Sequence, residues 1–245
     1  MLNKVPEISL YFWTIKILST TVGETAADYL AVHVGLGIAI TGTVMTSLLA
    51  LALTSQIRLN RYIPWVYWLT VVLLSIVGTQ ITDALTDGLG VSLYLSTFVF
   101  CVLLVSVFSA WYWCERTLSI HTIMTRRREL FYWAAILLTF ALGTAAGDLA
   151  TEELGLGFRL GVGLFTGMII IIYVACRLGL NSVLAFWLAY ILTRPLGASL
   201  GDLLSQSSEY GGIGWGTIST SVVFLSVIAI LVFIVSLRKD RQVQT

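Results

Sequence analysis

The chain has 245 residues, 58% of them hydrophobic and only 11% charged, with a formal net charge of +1 and a mean hydropathy of +0.92. A soluble domain carries about 25% charged residues, so the composition excludes an ordinary soluble protein and marks an integral membrane one. It offers nothing for nucleic acid. Cys101, Cys114 and Cys176 lack CxxC spacing, and His33 and His121 lack an HxxxH context, which argues against a zinc site or a disulfide framework.

A helix needs about 20 mostly apolar residues to cross the hydrocarbon core. In chain order, such stretches fall at roughly 8–31, 35–55, 64–86, 91–113, 130–150, 157–178, 180–203 and 215–237. The first contains Lys16, Glu24 and Asp28, so it reads as a retained helix and not a cleaved signal. Between paired helices lie Gly-rich or polar turns: Val34 to Gly37, Asp87 to Gly90, Glu152 to Gly157, and Ser205 to Gly214. The expected fold is an all-α polytopic membrane protein, a single domain over 1–245, with eight transmembrane helices from four parallel two-helix repeats. The repeats are placed at 8–55, 64–113, 130–178 and 180–237, with a cytoplasmic loop at 114–129.

Basic residues set the orientation. Lys4, Arg58, Arg61, Arg116, Arg126, Arg127, Arg128, Arg177, Arg238, Lys239 and Arg241 fall on the side of the termini, and only Arg159 falls opposite. Positive-inside bias therefore puts both termini in the cytoplasm. The run Arg126–Arg128 reads first as a topology anchor and second as an anionic-lipid or partner site.

The repeat is carried by a Trp, a Gly ten positions on and an Asp five beyond: Trp13–Gly23–Asp28, Trp68–Gly78–Asp83, Trp133–Gly143–Asp148 and Trp187–Gly197–Asp202. Positions three, seven, eleven and fifteen after each Trp form one stripe of a helix. They read Lys16, Thr20, Glu24, Asp28, then Val71, Ser75, Thr79, Asp83, then Ile136, Phe140, Thr144, Asp148, and finally Tyr190, Arg194, Ala198, Asp202. Such stripes cannot face lipid, so the odd helices are expected at the centre and the even ones in a lipid-facing shell. Hydroxyls on the even helices, such as Thr41, Thr43, Ser92, Ser96, Ser219 and Thr220, suit contacts between helices.

Each feature also has a plainer reading. The Trp serves as interfacial anchor or packing residue, the Gly permits close helix contact, and each Asp could cap or bridge. Lys16 and Arg194 could be staples, each expected to meet an acid on its own or a neighbouring stripe; for Lys16, Asp148 or Asp202 is favoured over Glu24. Pro195 beside Arg194, after Thr193, is expected to kink the seventh helix. His33 and His121 are expected in solvated turns.

The stripe places Lys16 and Arg194 against Glu24, Asp28, Asp83, Asp148 and Asp202. Two ion pairs leave acids that must be protonated, solvated or neutralised by a bound cation. That imbalance favours a cation or proton path, with Asp28, Asp83, Asp148 and Asp202 as metal-ligand candidates and Thr20, Ser75, Thr79, Thr144 and Thr193 in support.

Three segments carry a family resemblance: Lys16 to Asp28, Thr139 to Asp148, and Trp187 to Asp202. With them the chain resembles a bacterial family of membrane proteins of unknown function, built from four tandem repeats of two membrane helices and a characteristic Trp. The second repeat diverges most, lacking Ser or Thr six places after its Trp. The resemblance implies a bacterial inner membrane and supplies no activity.

The expected function is a transporter or exporter of a small cation, a hard divalent metal such as manganese or magnesium, or a proton-coupled solute. A non-transporting scaffold or sensor is the alternative. An enzyme ranks below both, for want of a His-rich metal cluster, a nucleophile elbow or a large soluble domain. The expected partners are the bilayer, the cation and a second copy in a homo-oligomer, with no resident cofactor.

Overall fold

A computed structural model describes residues 3–32 and 37–244. His33 and the turn through residue 36 lie outside the described residues. Among those described, the fold is all-helical, with eight long helices and no strand. They are α1 (Leu10–Val32), α2 (Gly37–Arg58), α3 (Pro64–Asp83), α4 (Leu93–Glu115), α5 (Arg126–Asp148), α6 (Gly157–Arg177), α7 (Ser182–Ser205) and α8 (Thr217–Gln244). Seven are long and apolar enough to cross a membrane. The remaining one, α1, carries Lys16, Glu24 and Asp28 along its length.

The odd helices form a closed ring. α1 packs on α3, α3 on α5, α5 on α7, and α7 returns to α1. Each even helix lies outside the ring, and its chief partner is the next inner helix along the chain: α2 on α3, α4 on α5, α6 on α7, and α8 back on α1. Burial follows this division. α3, α5 and α7 are buried along most of their length, whereas α4 and α6 bury only a few residues each, such as Phe100, Leu104, Gly161 and Phe165. The outer faces expose Phe98, Val102, Leu160, Ile171, Val222 and Phe233, an apolar surface of the kind that water does not tolerate as a contiguous patch.

Close approach within the ring depends on the repeated Gly. A Cβ on Gly23 would overlap Ser75, and one on Gly78 would lie 2.7 Å from Phe140 Cβ. A Cβ on Gly143 would overlap Arg194, and one on Gly197 would overlap Thr20. Each Gly thus sits on the residue seven places after the next Trp, and the last closes onto the first.

The Trp residues pack within the ring. Trp68, Trp133 and Trp187 are buried and Trp13 is half-buried. Trp187 Nε1 donates to Leu118 O at 2.9 Å.

Two of the outer-helix hydroxyls bond locally: Thr43 bonds Ala39 O in its own helix, and Ser92 caps α4 by accepting from Leu95 N at 3.3 Å. Between α1 and α8, the Thr25 and Ser221 hydroxyls bond at 2.7 Å.

At the N-terminal end of the ring, Lys4 Nζ donates to Glu129 Oε2 at 2.6 Å and to Ile57 O at 3.1 Å, both groups being buried. Thr125 caps α5, and Arg128 reaches Glu115 at 2.7 Å, holding the connection between α4 and α5.

Candidate functional site

The inner helices run parallel, so equivalent stripe positions form layers along the ring axis. The lowest layer is aromatic. Each Trp follows an aromatic residue: Phe12, Tyr67, Tyr132 and Phe186. That residue meets the next Trp, with ring centroids 5.7 Å apart for Phe12–Trp68, 5.4 Å for Tyr67–Trp133, 6.1 Å for Tyr132–Trp187 and 5.6 Å for Phe186–Trp13. The Tyr67 and Tyr132 hydroxyls bond each other within this layer. The reading by stripes alone misses the aromatic residue before each Trp, although the dipeptide is visible in all four repeats.

Above it lies Lys16, fully buried. The expected acidic partner is not there. Lys16 Nζ sits 4.3 Å from the ring centroids of both Phe140 and Tyr190, and no hydrogen-bond acceptor among the described residues reaches it. The physical reason is register. Lys16 lies two turns below Glu24, and its ammonium meets Tyr190 at its own stripe level on α7 and Phe140, one level higher, on α5. Their ring faces attract a cation and substitute in part for a carboxylate.

The next layer belongs to Arg194, also fully buried. Its Nη2 donates to Glu24 Oε2 at 2.7 Å, to Thr144 Oγ1 at 2.7 Å and to the Thr79 hydroxyl, while Nη1 donates to Thr20 O at 3.2 Å. One guanidinium on α7 therefore touches α1, α3 and α5. The ion pair expected for Arg194 is present, with Glu24 as its acid. Pro195 lies inside α7, where a Cβ added to Gly147 would come within 3.4 Å of it. It cannot donate a backbone bond, and nearby Thr193 O accepts from Thr20 Oγ1 at 3.1 Å. Ser75 is buried against Gly23, its hydroxyl unpartnered.

The carboxylates form the top layer, at the C-terminal ends of the inner helices. One oxygen each from Glu24, Asp148 and Asp202 lies within 4.8 Å of the others. Asp28 and Asp83 are not members of this trio, although both are in electrostatic range of Glu24 and Arg194. Of the four Asp residues sharing a stripe position, two join Glu24, which lies one turn deeper.

A second repeated feature was not expected. Directly after Asp83 and Asp148 the helix widens into a π turn, Ala84–Gly88 and Leu149–Glu153. Each is closed by an equivalent bond, Val91 N to Leu85 O at 2.9 Å and Leu156 N to Ala150 O at 3.2 Å. Gly90 and Gly155 supply the left-handed backbone these turns need, at φ of +68° and +69°. Such turns often accompany functional sites. The exposed acids Asp87 and Glu152 lie within them.

Two cavities lie elsewhere. One of about 430 Å³ is lined by the turn residues Gly157, Arg159 and Tyr210, and one of about 490 Å³ lies between α4 and α7 beside Tyr112, Arg116 and Trp187. Neither is lined by the trio, where the relevant observation is chemical: three carboxylates meet, and one of them, Glu24, is paired with a guanidinium.

The fold and site thus define an all-helical protein whose inner ring brings the polar stripes of four repeated segments to one axis. A family described as Repeat of Unknown Function (DUF347) matches four successive segments, 11–62, 66–117, 131–177 and 185–241. Those matches span most of the chain, which therefore belongs to that family. No curated protein and no solved structure matches it.

Proposed function

We propose that the protein is a multi-pass membrane transporter of a small hard cation, bound by Glu24, Asp148 and Asp202. The observation that carries this reading is the trio itself, three carboxylate oxygens within 4.8 Å of one another at the end of a buried ring. Such a grouping, when ionised, is costly unless a cation neutralises it. Four parallel helix C-termini converge on the same end, and their partial negative charge adds to the attraction. All-oxygen ligands suit magnesium or manganese over copper or zinc.

In this reading each repeat is one inner helix and the outer helix that follows it, with all repeats oriented alike. The outer helix lies on the next repeat, so the ring is interlocked. The apolar outer faces meet lipid, and the basic ends favour an orientation with both termini in the cytoplasm of a bacterial inner membrane. Asp28, Asp83, Asp87 and Glu152 form the approach from outside. The aromatic layer closes the axis on the inner side, so the conformation is the outward-facing one.

A scaffold without transport is the second reading. It is favoured by Arg194, which joins all four inner helices as a staple would. Proteoliposomes containing the purified chain decide between them. Uptake of manganese or magnesium that falls at least tenfold when Asp148 and Asp202 are both changed to Asn, with the fold retained, supports transport. Rates equal to those of empty vesicles for these cations and for protons favour the scaffold.

A further inference from the structure

Glu24 has two claims on it. It holds Arg194 through Nη2 at 2.7 Å, and it belongs to the carboxylate trio with Asp148 and Asp202. The other two acids are not held in this way. Asp202 is only 6% exposed, and among the described residues no donor bonds its carboxylate, which faces Glu24 and Asp148. An unpartnered buried acid aimed at a shared centre points to a ligand of positive charge.

The same Nη2 that bonds Glu24 also bonds the Thr79 and Thr144 hydroxyls, and among the described residues Arg194 Nε has no partner. The guanidinium is therefore placed by neutral groups on α3 and α5 and by Thr20 O on α1, with Glu24 its only anionic contact within bonding distance.

We infer that Arg194 is a tethered competitor for the cation site: a small cation entering the trio takes Glu24 away from Arg194, and the freed guanidinium loosens the bridge between the inner helices. This rests on the proposed cation site and adds to it a means of coupling occupancy to conformation. A cation coordinated by Glu24 would lie a few ångströms from a guanidinium whose counter-charge it has just taken, so both cannot hold Glu24 fully. Because binding free energies are reciprocal, whatever strengthens the hold on Arg194 weakens the cation, and the reverse.

The test is manganese binding to the purified full chain in detergent, followed by the electron paramagnetic resonance of the free ion. Arg194→Gln removes the competitor and keeps a neutral donor. The double variant Thr79→Val with Thr144→Val leaves the charge and weakens its seat, so the test survives if Arg194→Gln does not fold. Competition predicts tighter manganese binding in either folded variant, by roughly fivefold or more, and loss of binding in Asp202→Asn. If Asp202→Asn abolishes binding while the two other variants bind as the unmodified chain does, or more weakly, Arg194 is not a competitor although the cation site stands. If the unmodified chain binds no manganese or magnesium at all, both the site and the competition fall.

Discussion

The ring of Phe186 on α7 lies 5.6 Å from Trp13 on α1, and this contact closes a circuit. Phe12 meets Trp68, Tyr67 meets Trp133 and Tyr132 meets Trp187 in the same way. About three turns higher on the same side of each helix, Gly23, Gly78, Gly143 and Gly197 repeat the circuit against Ser75, Phe140, Arg194 and Thr20. Two independent sets of contacts, aromatic and Gly-mediated, thus join the four segments in one rotational sense.

The Gly circuit is sensitive to a single methyl group. Gly197→Ala would push into Thr20 and Gly143→Ala into Arg194. Overpacking of this kind costs about 1–3 kcal/mol. Both variants should lower the thermal midpoint in detergent. Gly163→Ala on α6, where a Cβ meets nothing within 4 Å, should leave it unchanged. Equal effects at all three positions would contradict close packing of the inner ring.

Arg194 and Glu24 should prove mutually dependent for folding. Both are buried, and removing one member of a buried pair costs about 3–5 kcal/mol because the other charge is left unpaired. Arg194→Ala and Glu24→Ala should each be strongly destabilising, and the double variant should lose much less than their sum. Additive losses in a double-mutant cycle would argue that the two groups act separately.

Lys16 makes the opposite expectation. It is buried with no carboxylate, held between Phe140 and Tyr190. A desolvated cation–π contact contributes about 2 kcal/mol, against a desolvation cost of several kcal/mol for an ammonium. Lys16→Met, similar in length and apolar, should keep or raise the thermal midpoint. A large loss of stability would mean that Lys16 carries a partner essential to the fold.

The stripe that meets at Arg194 was legible because helical periodicity assigns faces. Thr20, Glu24, Thr79, Thr144 and Arg194 share two adjacent stripe levels, and parallel helices bring equal levels together. The helix ends were legible within a few residues from apolar length and Gly-rich turns, except that α8 runs on past the expected end at 237 to Gln244. Periodicity does not say which neighbour a face meets, so it could not place α2 on α3 or α8 on α1. For the same reason it gave Lys16 an acid where register supplies two aromatic rings. The π turns after Asp83 and Asp148 depend on the closing bonds of the turn, which leave only a faint mark in composition. The trio also departs from the repeat: strict equivalence groups four Asp residues, whereas Glu24, present in one repeat alone, reaches the same centre from a turn deeper.

The most direct measurement of the central claim is anomalous diffraction from crystals of the chain grown with manganese, collected at the manganese edge. The account predicts one dominant peak bounded by Glu24, Asp148 and Asp202, at about 2.0–2.6 Å from their carboxylate oxygens, the range for hard-cation ligation. A manganese peak bound elsewhere, or a trio left without one at saturating metal, would contradict it.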